Sequence, residues 1–80
     1  MKKNLKNSSN KQVDRILSDI EQFYKNLKEV QINLENQKII ELAKKYCEDS
    51  KCWLEKKDLF SAFGCINYAH GLLDAFRLKL

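Results

Sequence analysis

One histidine, three cysteines and a few aspartates are the side chains of this 80-residue chain whose types could do chemistry. His70 lies close in sequence to Tyr68 and Asp74 and is the obvious candidate general base. An isolated imidazole without a nucleophile motif beside it lacks the support that triad-like catalysis requires. The favoured expectation is therefore a buried ring held by hydrogen bonds between helices. Pairing the last two helices antiparallel brings Tyr46 level with His70 and places Asp49 a turn away near Asn67, so Tyr46, Asp49, Asn67 and His70 form a candidate polar knot. The sharper alternative is that this knot lines a small-molecule or catalytic pocket.

Cys47, Cys52, Cys65 and His70 could be counted as a zinc set, but the spacing argues against it. Cys47 to Cys52 and Cys65 to His70 are both i, i+5, about 140° apart on a helix, and no C-x-x-C occurs. Packed or half-exposed thiols are expected instead, with no metal and no cofactor. Asp58 reads as a helix N-cap and Asp74 as a surface partner of Arg77. No catalytic residue is assigned, and the expectation is a protein that is not an enzyme.

The elements that position these groups follow from composition. The chain has no Pro, two Gly and abundant Lys, Glu, Leu and Ile, which predicts an all-α fold with short connections. Helices are expected at about 11–30, 36–56 and 58–78, preceded by a disordered Lys/Asn/Ser tail over 1–10. The first carries the stripe Val13, Ile16, Leu17, Ile20, Phe23, Tyr24, Leu27 and Val30. The second carries Ile39, Leu42, Ala43, Tyr46, Ser50 and Trp53, flanked by Cys47 and Leu54; the third carries Leu59, Ala62, Phe63, Ile66, Ala69, His70 and Leu73. Asn33 and Asn36 are candidate caps at the first break. The very short second turn forces antiparallel neighbours, hence an up-down-up bundle of three helices in one domain, 11–80.

The net charge of +4 sits in the tail, where residues 1–12 hold four Lys and no acid. Charge balance elsewhere argues against a duplex-binding footprint. A nucleic-acid accessory role for the tail is kept as the alternative, with weak and strongly salt-dependent binding. No apolar run nears the ~20 residues needed to span a bilayer, and an odd number of cysteines without an export signal suits a reducing compartment, so a cytoplasmic location without membrane contact is expected.

The third helix has a second face. Ser61, Gly64, Tyr68, Gly71 and Ala75 recur at intervals of 3, 4, 3 and 4 behind the core stripe. A seam of small side chains allows another helix to come close. Both glycines of the chain fall in it, although Gly in a helix interior costs about 1 kcal/mol relative to Ala. With Leu72 on its flank, this seam is the candidate interface for another helix, from a second copy in a homodimer or from a different protein.

The run AKKYCEDSKCWLEKKDLFSAFGCINYAHGLLDAFRL, from Ala43, resembles the signature of a short archaeal family known as domain of unknown function 357. The likeness falls on Ala43, Tyr46, Asp49, Trp53, Leu54 and Asp58, then on Ala62, Phe63, Tyr68, Ala69, Gly71, Leu73, Asp74 and Ala75. Lys57 stands where that family often has Gly, and the three Cys are a further departure. The resemblance implies a three-helix bundle of unknown activity and carries over no catalytic residue.

Overall fold

The computed structural model describes the backbone of residues 2–77 and the side chains of residues 11–77. Three helices pack together: α1 (Lys2–Leu27), α2 (Gln37–Glu55) and α3 (Leu59–Arg77). The tail expected over 1–10 falls on side chains outside the described ones, and the expected end of the third helix near 78 lies beyond the described backbone. Arg15 against Phe63 and Asp19 against His70 set α1 parallel to α3, and Glu29, just past the end of α1, meets Arg77 at the far end of α3. Tyr46 against Tyr68 and Ser50 against Ala62 set α2 antiparallel to α3.

The core is built from Ile16, Ile20 and Phe23 of α1, Ile40, Ala43 and Cys47 of α2, and Ala62, Ile66, Ala69 and Leu73 of α3. The α2/α3 pair is the most extensive contact, and small side chains allow it. Ser50 is fully buried there and donates its Oγ–H to the Ala62 carbonyl at 2.7 Å, which satisfies a hydroxyl that would otherwise be costly to bury. All three expected core stripes are corrected in part by this arrangement. Leu17 of α1 is 49% exposed, and Ile39 and Leu42 of α2 lie at the surface, as does Phe63 of α3. In α2 the line that faces inward keeps Ala43 and Ser50 of the expected stripe and adds the neighbouring Ile40 and Cys47. Compact side chains let the helix axes approach, so this line, and not the bulkier one, meets α3.

The breaks are made without Pro or Gly. Helix α1 stops at Leu27, earlier than the expected 30, because its end tightens into i→i+3 bonds from Glu29 to Asn26 and from Val30 to Leu27. Asn33 Oδ1 then accepts from the backbone N–H groups of Glu35 and Asn36, and Asn36 Oδ1 accepts from that of Asn33. The Asn36 amide donates to the Gln31 carbonyl. Asn36 occupies the N-cap position of α2, as expected of it, but its side chain faces back into the loop and makes no cap bond to the helix. The two amides thus act as an Asx-type staple.

At the second turn the Asp58 N–H donates to the Trp53 carbonyl at 3.0 Å and the Lys57 N–H to that of Leu54 at 2.9 Å. These are the paired bonds of a Schellman stop, whose C′ residue is left-handed. That residue is Lys57, at φ 64°. Asp58 starts the next helix at once, its carboxylate accepting from the N–H and the hydroxyl of Ser61. Both bonds hold its carboxyl below the usual aspartate range. A β-carbon in the left-handed region is unfavourable and Gly is not. Lys57→Gly is accordingly expected to stabilise the fold by about 0.5–1 kcal/mol. A higher urea midpoint at unchanged slope is the readout, and Lys57→Ala, which keeps the β-carbon, should show no such rise.

Candidate interaction surface

The four residues of the candidate polar knot are not brought together. His70 looks towards α1, where its Nε2–H donates to the Asp19 carbonyl at 2.7 Å and its ring meets the edge of Phe23 at 5.8 Å. A carbonyl only accepts, so this contact fixes Nε2 as the protonated nitrogen. Tyr46 lies on the other side of α3, edge-on to Tyr68 at 4.6 Å. Asp49 pairs with Lys45 at 3.7 Å near the surface, and Asn67 is exposed. His70 is thus an interhelix tie, but it is half-buried and its partner is Asp19 of α1, not the expected Tyr46 or Asp49 of α2.

The thiols are free. Burial pushes Cys47 upward from its ordinary pKa, and burial together with the nearby Asp49 does the same to Cys65, so neither is poised as a thiolate nucleophile. Among the described residues no group of three or more His, Cys, Asp and Glu could hold a metal ion. Among the same residues no helix is long and apolar enough to cross a membrane.

One polar cluster was not visible in the sequence. Tyr24 of α1 donates its phenolic O–H to Glu48 Oε2 of α2 at 2.9 Å, and Lys51 Nζ reaches the Tyr24 oxygen at 2.8 Å and Glu48 at 3.2 Å. The i, i+3 pair of Glu48 and Lys51 was its only sequence signal. The bond from Tyr24, then Lys51, holds the Glu48 carboxyl below the usual carboxylate range; bonding to Tyr24 raises the Lys51 ammonium, and burial raises the Tyr24 phenol. A lowered carboxyl adds stability above its unfolded value and loses it as pH falls through the folded one. The two raised groups add stability below their unfolded values and lose it as pH rises through the folded ones. The difference in urea midpoint between the wild type and Tyr24→Phe should therefore be largest from about pH 5 to about pH 10 and shrink on either side.

The outer face of α2 and α3 is different in kind. Wound at 100° per residue, Phe60, Gly64, Tyr68, Gly71 and Ala75 fall within an arc of about 80°. Phe60 is 90% exposed and Tyr68 52%. Both glycines are open to the exterior, and a Cβ built on either meets nothing within 4 Å. Beside them Tyr46 and Trp53 of α2 complete a shallow depression of about 510 Å³. Phe60 and Phe63 also border a cleft of about 360 Å³ against Gln12, Arg15 and Ile16.

Four of the expected seam residues, Gly64, Tyr68, Gly71 and Ala75, thus stand on one open face, together with Phe60, a larger side chain at its edge. Two others have local duties: the Ser61 hydroxyl bonds Asp58, and Leu72 packs partly against the core. Ala75 is exposed. From Leu59 to Leu73 there is no Asp, Glu, Lys or Arg. A surface helix ordinarily puts charges on its solvent side, and depletion of charge marks the core of an interface. That gap in charge was the sequence signal for this surface.

Three helices, their core on one side and an uncharged aromatic face on the other, define a small all-α protein whose most distinctive surface is apolar. The chain belongs to the DUF357 family of proteins of unknown function, whose pattern matches residues 10–79. No curated protein matches the chain.

Proposed function

We propose that the protein is a non-enzymatic interaction module whose outer α2/α3 face takes a helix supplied by another polypeptide. The observation that carries this is the charge-free outer side of α3, where rings at Phe60 and Tyr68 alternate with the gaps above Gly64 and Gly71. A helix laid along it would bury the rings and come close over the glycines. Arg15 over Phe63 and Lys56 over Trp53 edge the apolar floor with cations that also cover ring faces.

A photoreactive amino acid placed at Phe60 or Tyr68 in the native cell should give discrete protein adducts. The adducts should vanish on adding Gly64→Leu with Gly71→Leu, which fills the gaps, and should not form from a probe at Glu41 on the remote side of α2. Equal labelling from both sides, or none from α3, would refute the assignment.

A further inference from the structure

Resting on that reading, we infer that the helix received is α3 of a second copy, lying antiparallel across the first. In this pairing Phe60 of each copy sits over Gly71 of the other, and Tyr68 over Gly64. The four residues run ring, gap, ring, gap along one stripe. At a rise of 1.5 Å per residue the rings are about 12 Å apart and the gaps about 10.5 Å. Reversing the second helix therefore places both rings over both gaps in one register, to within a single residue. A two-fold axis then repeats the contacts, so that the surface is complementary to itself.

A parallel two-fold pair lacks this property. It sets each residue opposite its own copy, ring on ring and gap on gap. A parallel pair shifted by one turn would match rings to gaps but would leave an unfilled end and grow without closing. Only the antiparallel arrangement is both filled and closed.

Charge agrees with a self-partner. The absence of charged residues from Leu59 to Leu73 removes like-charge contacts from the centre of such a pair. The same register brings the Lys56–Lys57 end of one copy level with Asp74 of the other, a carboxylate that its own Arg77 already bonds at 3.3 Å, so opposite charges meet at the rim by sharing it. The exposed Ile39 and Leu42 of α2 continue the apolar surface beside α3. They extend it towards the roughly 800 Å² per partner of a standard interface.

The test uses the full chain. Sedimentation equilibrium should show a dimer, weakened about tenfold or more by Gly64→Leu with Gly71→Leu. The variant monomer should stay helical, with no loss in urea midpoint, because the positions filled are open. Register is read by disulfide trapping with Cys52→Ser and Cys65→Ser as background and the buried Cys47 retained. Copies carrying Phe60→Cys mixed with copies carrying Gly71→Cys should cross-link, and neither should cross-link alone. A dimer in which each cross-links alone overturns the antiparallel register and leaves the interaction reading standing. A monomer at every concentration, with face-specific adducts in the cell, overturns the second copy as partner only. A monomer without such adducts overturns both.

Discussion

Phe23→Ala should lower the unfolding free energy by about 3–5 kcal/mol, the usual range for deleting a buried ring. Phe23 has no exposed surface and, among the described residues, is the only aromatic side chain buried in the core. Of the described α1 side chains, only Ile16, Ile20 and Phe23 are buried core hydrophobics, and α1 contacts the α2/α3 pair less extensively than those two contact each other. Phe23 also meets the ring of His70, whose bond to the Asp19 carbonyl fixes α1 at the same level. Removing it leaves a cavity where the first helix is held. An 80-residue domain has a total stability of roughly 4–12 kcal/mol, so the loss consumes much of it. The helix that loosens is α1, and Cys47, fully buried beneath Tyr24, reports the event. In the wild type a thiol reagent should modify the exposed Cys52 quickly and the buried Cys47 slowly; in Phe23→Ala both should react quickly. A Cys47 as protected as before, with a destabilisation below about 2 kcal/mol, would show that α1 is held by something other than this ring.

The contrast between α1 and α2 shows what the sequence could disclose. In α1 the apolar residues other than Leu17 form one line, so Ile16, Ile20 and Phe23 were legible as core from their spacing. In α2 two apolar lines run side by side. Periodicity alone does not rank them: the expected stripe took in Ala43 and Ser50, which are buried, but also Ile39, Leu42 and Trp53, and it left Cys47 on the flank and Ile40 out. What decides is how near α3 must come, a property of the pair of helices. The same limit applies to His70. Its level along α3 was readable from the turn at Lys57, but its direction around α3 depends on where α1 lies. Tyr68, two residues earlier, points to α2 instead. The candidate knot failed for this reason, while the seam was legible because a stripe on a single helix needs no partner to define it. Phe60 falls at the edge of that stripe by the same helical arithmetic, one of the larger apolar side chains that flank the small residues.

The second large effect is expected at Ser50, where spacing and hydrogen bonding can be separated. Ser50→Ala keeps the small side chain and loses the 2.7 Å bond to the Ala62 carbonyl. That carbonyl retains the α-helical bond within α3, so the cost should be about 1 kcal/mol. Ser50→Leu adds bulk at a fully buried point between α2 and α3, facing Ala62, which is itself fully buried. Overpacking of this kind costs about 1–3 kcal/mol and sometimes more, and it adds to the lost bond. A total near 3 kcal/mol is expected. Relief comes by moving the two helices apart, which also opens the contact between Tyr46 and Tyr68 on the outer face. Ser50→Leu should therefore weaken self-association as well as the fold, whereas Ser50→Ala should leave association near its wild-type strength. Urea midpoints and sedimentation on the three proteins separate the cases. Equal damage from Ala and Leu would mean that the hydroxyl, and not the closeness of α2 to α3, is what the fold requires at this position.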